Sequence, residues 1–212
     1  MKKYVLLYDS GMGGQYVLNV FKSKFENTHF LLYADTLHAP FGNKSKQELE
    51  KILFTALFEM TKKYPIFRII IACNTMSSMF KNQIKRIYPN TIFIEPQINK
   101  KILSKPTLVL ATQNTIKYSA KLKKYKRHPN YYEVSFKSLA KKIDSCQGDF
   151  DSLLPYIKRK LFPYNFVQNI VLGCTHYNWI KPQIEQCFTH KITFYESSQK
   201  QAKKLNKKSP LL

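Results

Sequence analysis

Two cysteines close apolar runs and are each followed by small polar side chains. Cys73 ends Arg68-Ile69-Ile70-Ile71-Ala72 and is followed by Asn74-Thr75. Cys174, 101 residues later, ends Asn169-Ile170-Val171-Leu172-Gly173 and is followed by Thr175-His176. Short β-branched runs of this kind read as strands buried on both faces of a parallel sheet, and open α/β sheets bind ligands at the carboxyl ends of their strands. After Cys73 a helical period begins at once (Met76, Met79, Phe80, Gln83, Ile84, Ile87). The first thiol is therefore expected near a helix N-terminus, where the dipole favours a thiolate.

Several chemistries use cysteines. Zinc wants three or four ligands at about 2.0–2.3 Å; Cys73, Cys174 and His176 could be assembled, but the sequence suggests no fourth, and no metal is expected. A cysteine hydrolase needs one thiol and a histidine base, which makes a second thiol superfluous. A redox pair favours close spacing, and free cysteines are commonly just buried. One reaction uses two thiols symmetrically: inversion at a carbon acid, in which a thiolate removes a proton from one face and a thiol returns one to the other. Free thiols titrate near ~8.5, so a modest shift poises such a pair. No lysine-centred Schiff-base pattern is evident, although a lysine-rich chain hides one easily.

The elements that must position these groups repeat. Tyr4 to Tyr8 reads as a buried strand running into Asp9-Ser10-Gly11-Met12-Gly13-Gly14 and a helix through Val17, Leu18, Val20 and Phe21. The glycines do not fit G-x-G-x-x-G, and a carboxylate there would repel a pyrophosphate. His29 to Tyr33 is a second strand, followed by a long loop from Ala34 to Ser45; long ordered loops tend to be functional. Ser45 to Tyr64 is a helix with a Ser45–Glu48 capping box, and Thr91 to Ile94 a short strand. Thr107 to Ala111 then starts a second cycle ending in Thr112-Gln113-Asn114-Thr115, with Thr112 lying 103 residues after Asp9. Lys117 to Asn130 reads as a basic helix end and turn, Tyr131 to Gly148 is less readable with a short helix around Leu139 to Ile143, and Leu153 to Phe162 reads as helix. Ile192 to Tyr195 is a last strand, Gln199 to Asn206 a lysine-rich helix, and Lys207 to Leu212 a frayed end. The expected fold is α/β: two similar lobes, each a mostly parallel sheet flanked by helices, with the site in the cleft between them. The first lobe takes residues 1–95 plus 196–212 and carries Cys73; the second takes 96–195 and carries Cys174.

At 212 residues and 44% hydrophobic content, two lobes of roughly 100 residues can each bury a core. The net charge of +22 invites a nucleic-acid reading. Its arginines are few (Arg68, Arg86, Arg127, Arg159), the lysines are scattered, and no recognition motif appears, so no nucleic-acid partner is expected. The charge serves instead as a field for small anions. No run reaches the ~18 apolar residues of a membrane span, and the first residues lack a secretory core. A cytoplasmic protein without a disulfide framework is expected.

Five blocks resemble the signatures of glutamate racemase, within the aspartate/glutamate racemase superfamily, and stand in that family's order: Asp9 to Gly14, Asp35 to Ser45, Ala72 to Thr75, Ala111 to Ile116, and Leu172 to Tyr177. The resemblance implies a cofactor-independent isomerase that interconverts L- and D-glutamate and supplies D-glutamate for peptidoglycan, with a small acidic amino acid as substrate and a homodimeric assembly. It makes Cys73 the acid/base for the D-enantiomer and Cys174 that for the L-enantiomer, assisted by Asp9 and His176. It assigns substrate contacts to Asp9, Ser10, Phe41, Gly42, Asn74, Thr75, Thr112, Thr115, Thr175 and His176. The chain departs from the family in four respects. Phe41 stands where a tyrosine is usual, Asn178 replaces a proline, and the chain is shorter by several tens of residues. The second-lobe stretch that normally ends in a glutamate is rewritten as Phe136 to Asp144, which lays Asp144 over that glutamate. These changes bear on substrate fit and rate, and leave aspartate racemisation, or a weakly active or non-catalytic binder of an acidic metabolite, as alternatives.

Overall fold

Burial on both faces shapes the inner strands. The computed structural model describes residues 2–208. In order these form β1 (Tyr4–Asp9), α1 (Met12–Lys22), β2 (Phe30–Ala34), α2 (Lys46–Lys63), β3 (Ile66–Ile71), α3 (Asn74–Ile87) and β4 (Ile92–Phe93). A second set follows as β5 (Thr107–Ala111), α4 (Gln113–Tyr118), α5 (Ala120–Lys123), β6 (Tyr131–Ser135), α6 (Leu139–Ser145), α7 (Leu154–Leu161), β7 (Asn169–Gly173), α8 (Lys181–Glu185), β8 (Thr193–Tyr195) and α9 (Ser197–Lys208). Two parallel four-stranded sheets result, ordered β2-β1-β3-β4 and β6-β5-β7-β8. The second order repeats the first, as the sequence repeat predicts.

In the first sheet, alternate residues feed two cores. Leu6, Tyr8, Ile69 and Ile71 pack with Leu49, Leu53 and Leu57 of α2 and Phe80 and Ile84 of α3. Val5, Leu7 and Ile70 pack with Val17 and Phe21 of α1 and with Ala202 of α9. In the second sheet, Leu108, Leu110, Ile170 and Leu172 meet Leu139, Ile143, Ile157 and Ile184. Val109, Ala111 and Val171 meet Ile98, Ile102 and Leu122 on the other face. Each inner strand is thus apolar on both sides, so its functional residues fall just beyond its end.

The structure changes several expectations. Tyr131–Ser135, within the stretch the sequence leaves hard to read, is the edge strand β6; it carries half-buried Glu133 and exposed Ser135 among its apolar residues. The strand expected over Thr91 to Ile94 pairs only at Ile92–Phe93. After Cys174 the chain makes a single 3-10 turn, Thr175–Asn178. The last helix starts at Ser197 and runs to Lys208, so residues 207 and 208 are helical rather than frayed; residues 209–212 of that expected frayed end lie outside the described residues. Half of the expected capping box forms: the Ser45 hydroxyl accepts from the Glu48 N–H at 3.2 Å, while the Glu48 carboxylate takes the Lys44 ammonium. No helix among the described residues is long and apolar enough to cross a membrane.

Candidate active site

The ends of β1, β3, β5 and β7 converge on one cleft between the two sheets. Cys73 follows β3 and Cys174 follows β7; both are free thiols and both line this cleft, one from each sheet. Ser10, Phe41, Gly42, Asn74 and Thr75 line it from the first lobe, and Thr112, Thr175 and His176 from the second. Asp9 and Thr115 are fully buried and stand one layer behind the wall.

Behind Cys73 sits the Asp9 carboxylate. It accepts from the Gly11 N–H at 3.2 Å and from the Thr175 hydroxyl, across the cleft, at 3.1 Å. Burial pushes Asp9 up to about 6, against the pull of the His176 charge and of its Thr175 and backbone hydrogen bonds. The expected depression of Cys73 by the α3 dipole does not occur. Burial pushes the Cys73 thiol well up and the neighbouring Asp9 charge adds to it, outweighing the N–H groups of Met76 and Thr75. Desolvation of a fully buried thiolate exceeds what one helix terminus returns.

Behind Cys174 the arrangement is cationic. His176 Nδ1 lies 3.8 Å from the Cys174 sulfur, and its Nε2 lies 3.1 Å from both oxygens of Asp144. Burial alone would lower His176; the Asp144 hydrogen bond, with Cys174 and Asp9, overrides it and holds the imidazole protonated well above its ordinary range. Asp144 in turn accepts from the Met12 N–H at 3.2 Å, at the start of α1. The two thiols therefore stand in opposite electrostatic settings.

Close approach between the lobes depends on glycines at the seam, among them Gly42 and Gly13. A Cβ on Gly42 would come within 2.8 Å of the Thr112 Cβ, and one on Gly13 would run into the Thr175 side chain. Three hydroxyls meet at the seam: Thr112 donates to Thr115 at 2.9 Å, and Thr75 lies 2.9 Å from Thr112 and 3.3 Å from Thr115. The Thr112 hydroxyl also accepts from the Thr115 N–H at 3.1 Å and so caps α4. Asn74 donates to the Ile94 carbonyl at 3.0 Å, which fixes its amide in the cleft wall.

Sequence reasoning passed over Asn114 and Asn43. Asn114 donates to the carbonyls of Phe41 (3.1 Å) and Lys44 (2.9 Å), fastening the long first-lobe loop to the second lobe. Asn43 donates to the Lys137 carbonyl at 2.6 Å. No local pattern could reveal partners some 70 to 94 residues away. Phe41 is buried and stacks on Tyr8 with ring centroids 6.3 Å apart. Among the described residues, no three His, Cys, Asp or Glu side chains converge as metal ligands would.

No protein-family model matches the chain. A glutamate racemase of Clostridium perfringens (strain SM101) is 30% identical over 201 residues, covering 90% of this chain and 77% of that protein. Glutamate racemase 2 of Bacillus subtilis (strain 168) is 30% identical over 211 residues, covering 94% and 79%. The structure of Escherichia coli glutamate racemase in complex with L-glutamate and activator UDP-MurNAc-Ala superposes with a TM-score of 0.85 at 21% identity, covering 98% of this chain and 84% of that one. The two-lobed α/β fold is the same.

Proposed function

The chain belongs to the glutamate racemase family, and from that premise we propose that it interconverts L- and D-glutamate by proton transfer at Cα between Cys73 and Cys174. The observation that carries this is the pair of free thiols lining one cleft from two sheets, with Asp9 beside Cys73 and His176 beside Cys174. In the L-to-D direction Cys174 takes the Cα proton. The electron pair left on carbon is then protonated on the opposite face by Cys73. The return direction exchanges the two roles. The protonated His176 offsets the negative charge that forms on the Cys174 sulfur. Asp9, a carboxylate above about pH 6, relays the proton at Cys73.

Asn74, Thr75, Thr112 and Thr175 contact the substrate's carboxylates, the hydroxyls turning from their partners in the structure to do so, and Ser10, Phe41 and Gly42 shape the first-lobe wall; Thr115 holds Thr112 in place from behind. Asp144 takes the part of the family's second-lobe glutamate by orienting His176. The lobes are drawn at residues 1–95 with 196–212, and 96–195. No cofactor enters the proposed chemistry, and the role we assign is supply of D-glutamate for peptidoglycan in the cytoplasm, by a homodimer.

The test is circular dichroism of D- and L-glutamate, and of D- and L-aspartate, incubated with purified protein in the absence of pyridoxal phosphate. Decay of the glutamate signals to zero from both sides is expected. Decay for aspartate alone would reassign the substrate, and no decay for either would overturn the racemase reading.

A further inference from the structure

Four residues close a hydrogen-bonded ring across the seam between the lobes, beside Cys174. The Trp179 indole N–H donates to the Met12 carbonyl at 3.0 Å. The Met12 N–H donates to Asp144 Oδ1 at 3.2 Å, and Asp144 holds His176 Nε2 at 3.1 Å. The ring returns through the main chain, where the Trp179 N–H donates to the His176 carbonyl at 3.1 Å and ends the 3-10 turn that carries this histidine. Met12 opens α1 of the first lobe, and the other three residues belong to the second. A Cβ on Gly11 would come within 2.9 Å of both Asp144 Oδ2 and His176 Nε2, so the ring closes directly over a glycine.

Trp179 is half-buried, packed against the second-lobe core and edge-on to the Tyr16 ring of α1 at 6.0 Å. A phenylalanine would serve that packing; the indole adds one donor, aimed at one carbonyl. The Met12 N–H, in the first turn of α1, has no carbonyl partner within its helix. Asp144 and Trp179 thus hold the Met12 main chain from both sides. We infer that Trp179 is a positioning residue for the Cys174 half of the reaction: by holding Met12 it keeps Asp144 on Nε2 of His176, and so keeps Nδ1 of that ring against the Cys174 sulfur, 3.8 Å away. A closed network loses more than one contact when a member goes, and small displacements of a group that supports proton transfer are costly in rate. Cys73 lies outside the ring, since Asp9 beside it is held by the Gly11 N–H and the Thr175 hydroxyl. Loss of the indole donor should therefore weaken one face of the reaction and spare the other.

The inference rests on the racemase reading for its reaction, so one arm of the experiment needs no turnover. In that arm NMR follows the titration of the His176 ring, which faces Asp144, Cys174 and Asp9. The proteins compared are the wild type, Trp179→Phe, and protein carrying β-(3-benzothienyl)alanine in place of Trp179, the chain's single tryptophan. This isostere keeps the bicyclic ring and exchanges only the N–H for sulfur, so it serves where the phenylalanine variant fails to fold. In both variants the titration should fall toward the ordinary histidine range as Asp144 loosens from the ring. The second arm measures chloride release from the β-chloro analogues of L- and D-glutamate. There the Cα proton passes to one sulfur, its bonding pair becomes the Cα–Cβ double bond, and chloride leaves Cβ. Release from the L-analogue, through Cys174, should fall about tenfold, and release from the D-analogue, through Cys73, by less than about twofold. An unmoved His176 titration, or losses that are equal on the two enantiomers or absent from both, overturns the inference. Chloride release absent from the wild type while the His176 titration still depends on the indole N–H overturns the racemase reading and leaves the positioning of His176 standing.

Discussion

The Thr175 hydroxyl of the second lobe donates across the cleft, at 3.1 Å, to the fully buried Asp9 carboxylate of the first. It is one of the few forces holding Asp9 down against burial, which still pushes that group up to about 6. Proton acceptance by Asp9 should then fail as pH falls through about 6. The expected result is an acidic limb near pH 6 in kcat/KM for D-glutamate, which reports the free enzyme. Asp9→Asn should abolish the limb along with most of the rate, and Thr175→Val should move it to higher pH. A limb unchanged in both variants would remove Asp9 from the reaction.

The same shift has a stability consequence of definite sign. Asp9 titrates higher in the folded chain than its unfolded value of 3.8. Folding therefore favours the protonated form; the benefit is full below the unfolded value and lost as pH rises through about 6. At pH 8 the buried charge costs about 2–3 kcal/mol, taking one unit as ~1.4 kcal/mol. Asp9→Asn keeps the acceptor for Gly11, and the Thr175 hydroxyl can turn to accept from the new amide. This variant should melt above the wild type at pH 8, and the difference should shrink toward pH 4, as followed by thermal unfolding across that range.

His176 gives the opposite arrangement. Two Asp144 oxygens at 3.1 Å help hold it protonated against its own burial. Asp144→Asn should lower the histidine toward or below its ordinary range. The basic limb for L-glutamate should then move to lower pH, because the imidazolium that offsets charge at Cys174 is lost earlier. NMR titration of the His176 ring in both proteins checks the cause directly; an unmoved titration would show that Asp144 does not set it.

Asn114 ties the lobes by polar contacts that no apolar patterning records. Its amide satisfies the carbonyls of Phe41 and Lys44, and the residue is buried. Asn114→Ala would strand those acceptors, at a cost of about 1–3 kcal/mol each where water cannot enter. Lower urea resistance is expected, together with a higher KM, since the freed loop carries Phe41 and Gly42. Unchanged stability and KM would mean the loop is held elsewhere.

The inner strands and the thiol positions were legible in sequence because Val5 to Tyr8, Leu108 to Ala111 and Ile170 to Leu172 are apolar on both faces and end abruptly. The edge strand Tyr131–Ser135 was not, because Glu133 and Ser135 interrupt its apolar residues. The setting of Cys73 was misjudged for a different reason: the helix dipole can be read from local sequence, whereas burial beside Asp9 depends on elements far apart in the chain. Asn114 with Phe41, and Lys137 with Asn43, are likewise relationships between lobes, invisible until both sheets are folded.

Two thiols in opposite settings also predict an asymmetry between enantiomers. Each turnover of racemisation needs a base on one face and an acid on the other, so replacing either thiol by a hydroxyl, which titrates far above working pH, should abolish it. Losses of about 10³-fold or more are expected for Cys73→Ser and for Cys174→Ser. Elimination from a β-chloro analogue of glutamate needs only the first half: the Cα proton leaves to one sulfur and chloride leaves from Cβ, giving an enamine that hydrolyses to the keto acid and ammonia. Cys73→Ser should therefore still eliminate from the L-analogue through Cys174, and Cys174→Ser from the D-analogue through Cys73. Chloride release, measured for each variant on each enantiomer, gives a two-by-two pattern with activity on one diagonal. Equal preference in both variants would assign proton removal to a single residue, and retained racemisation in either would take that thiol out of the mechanism.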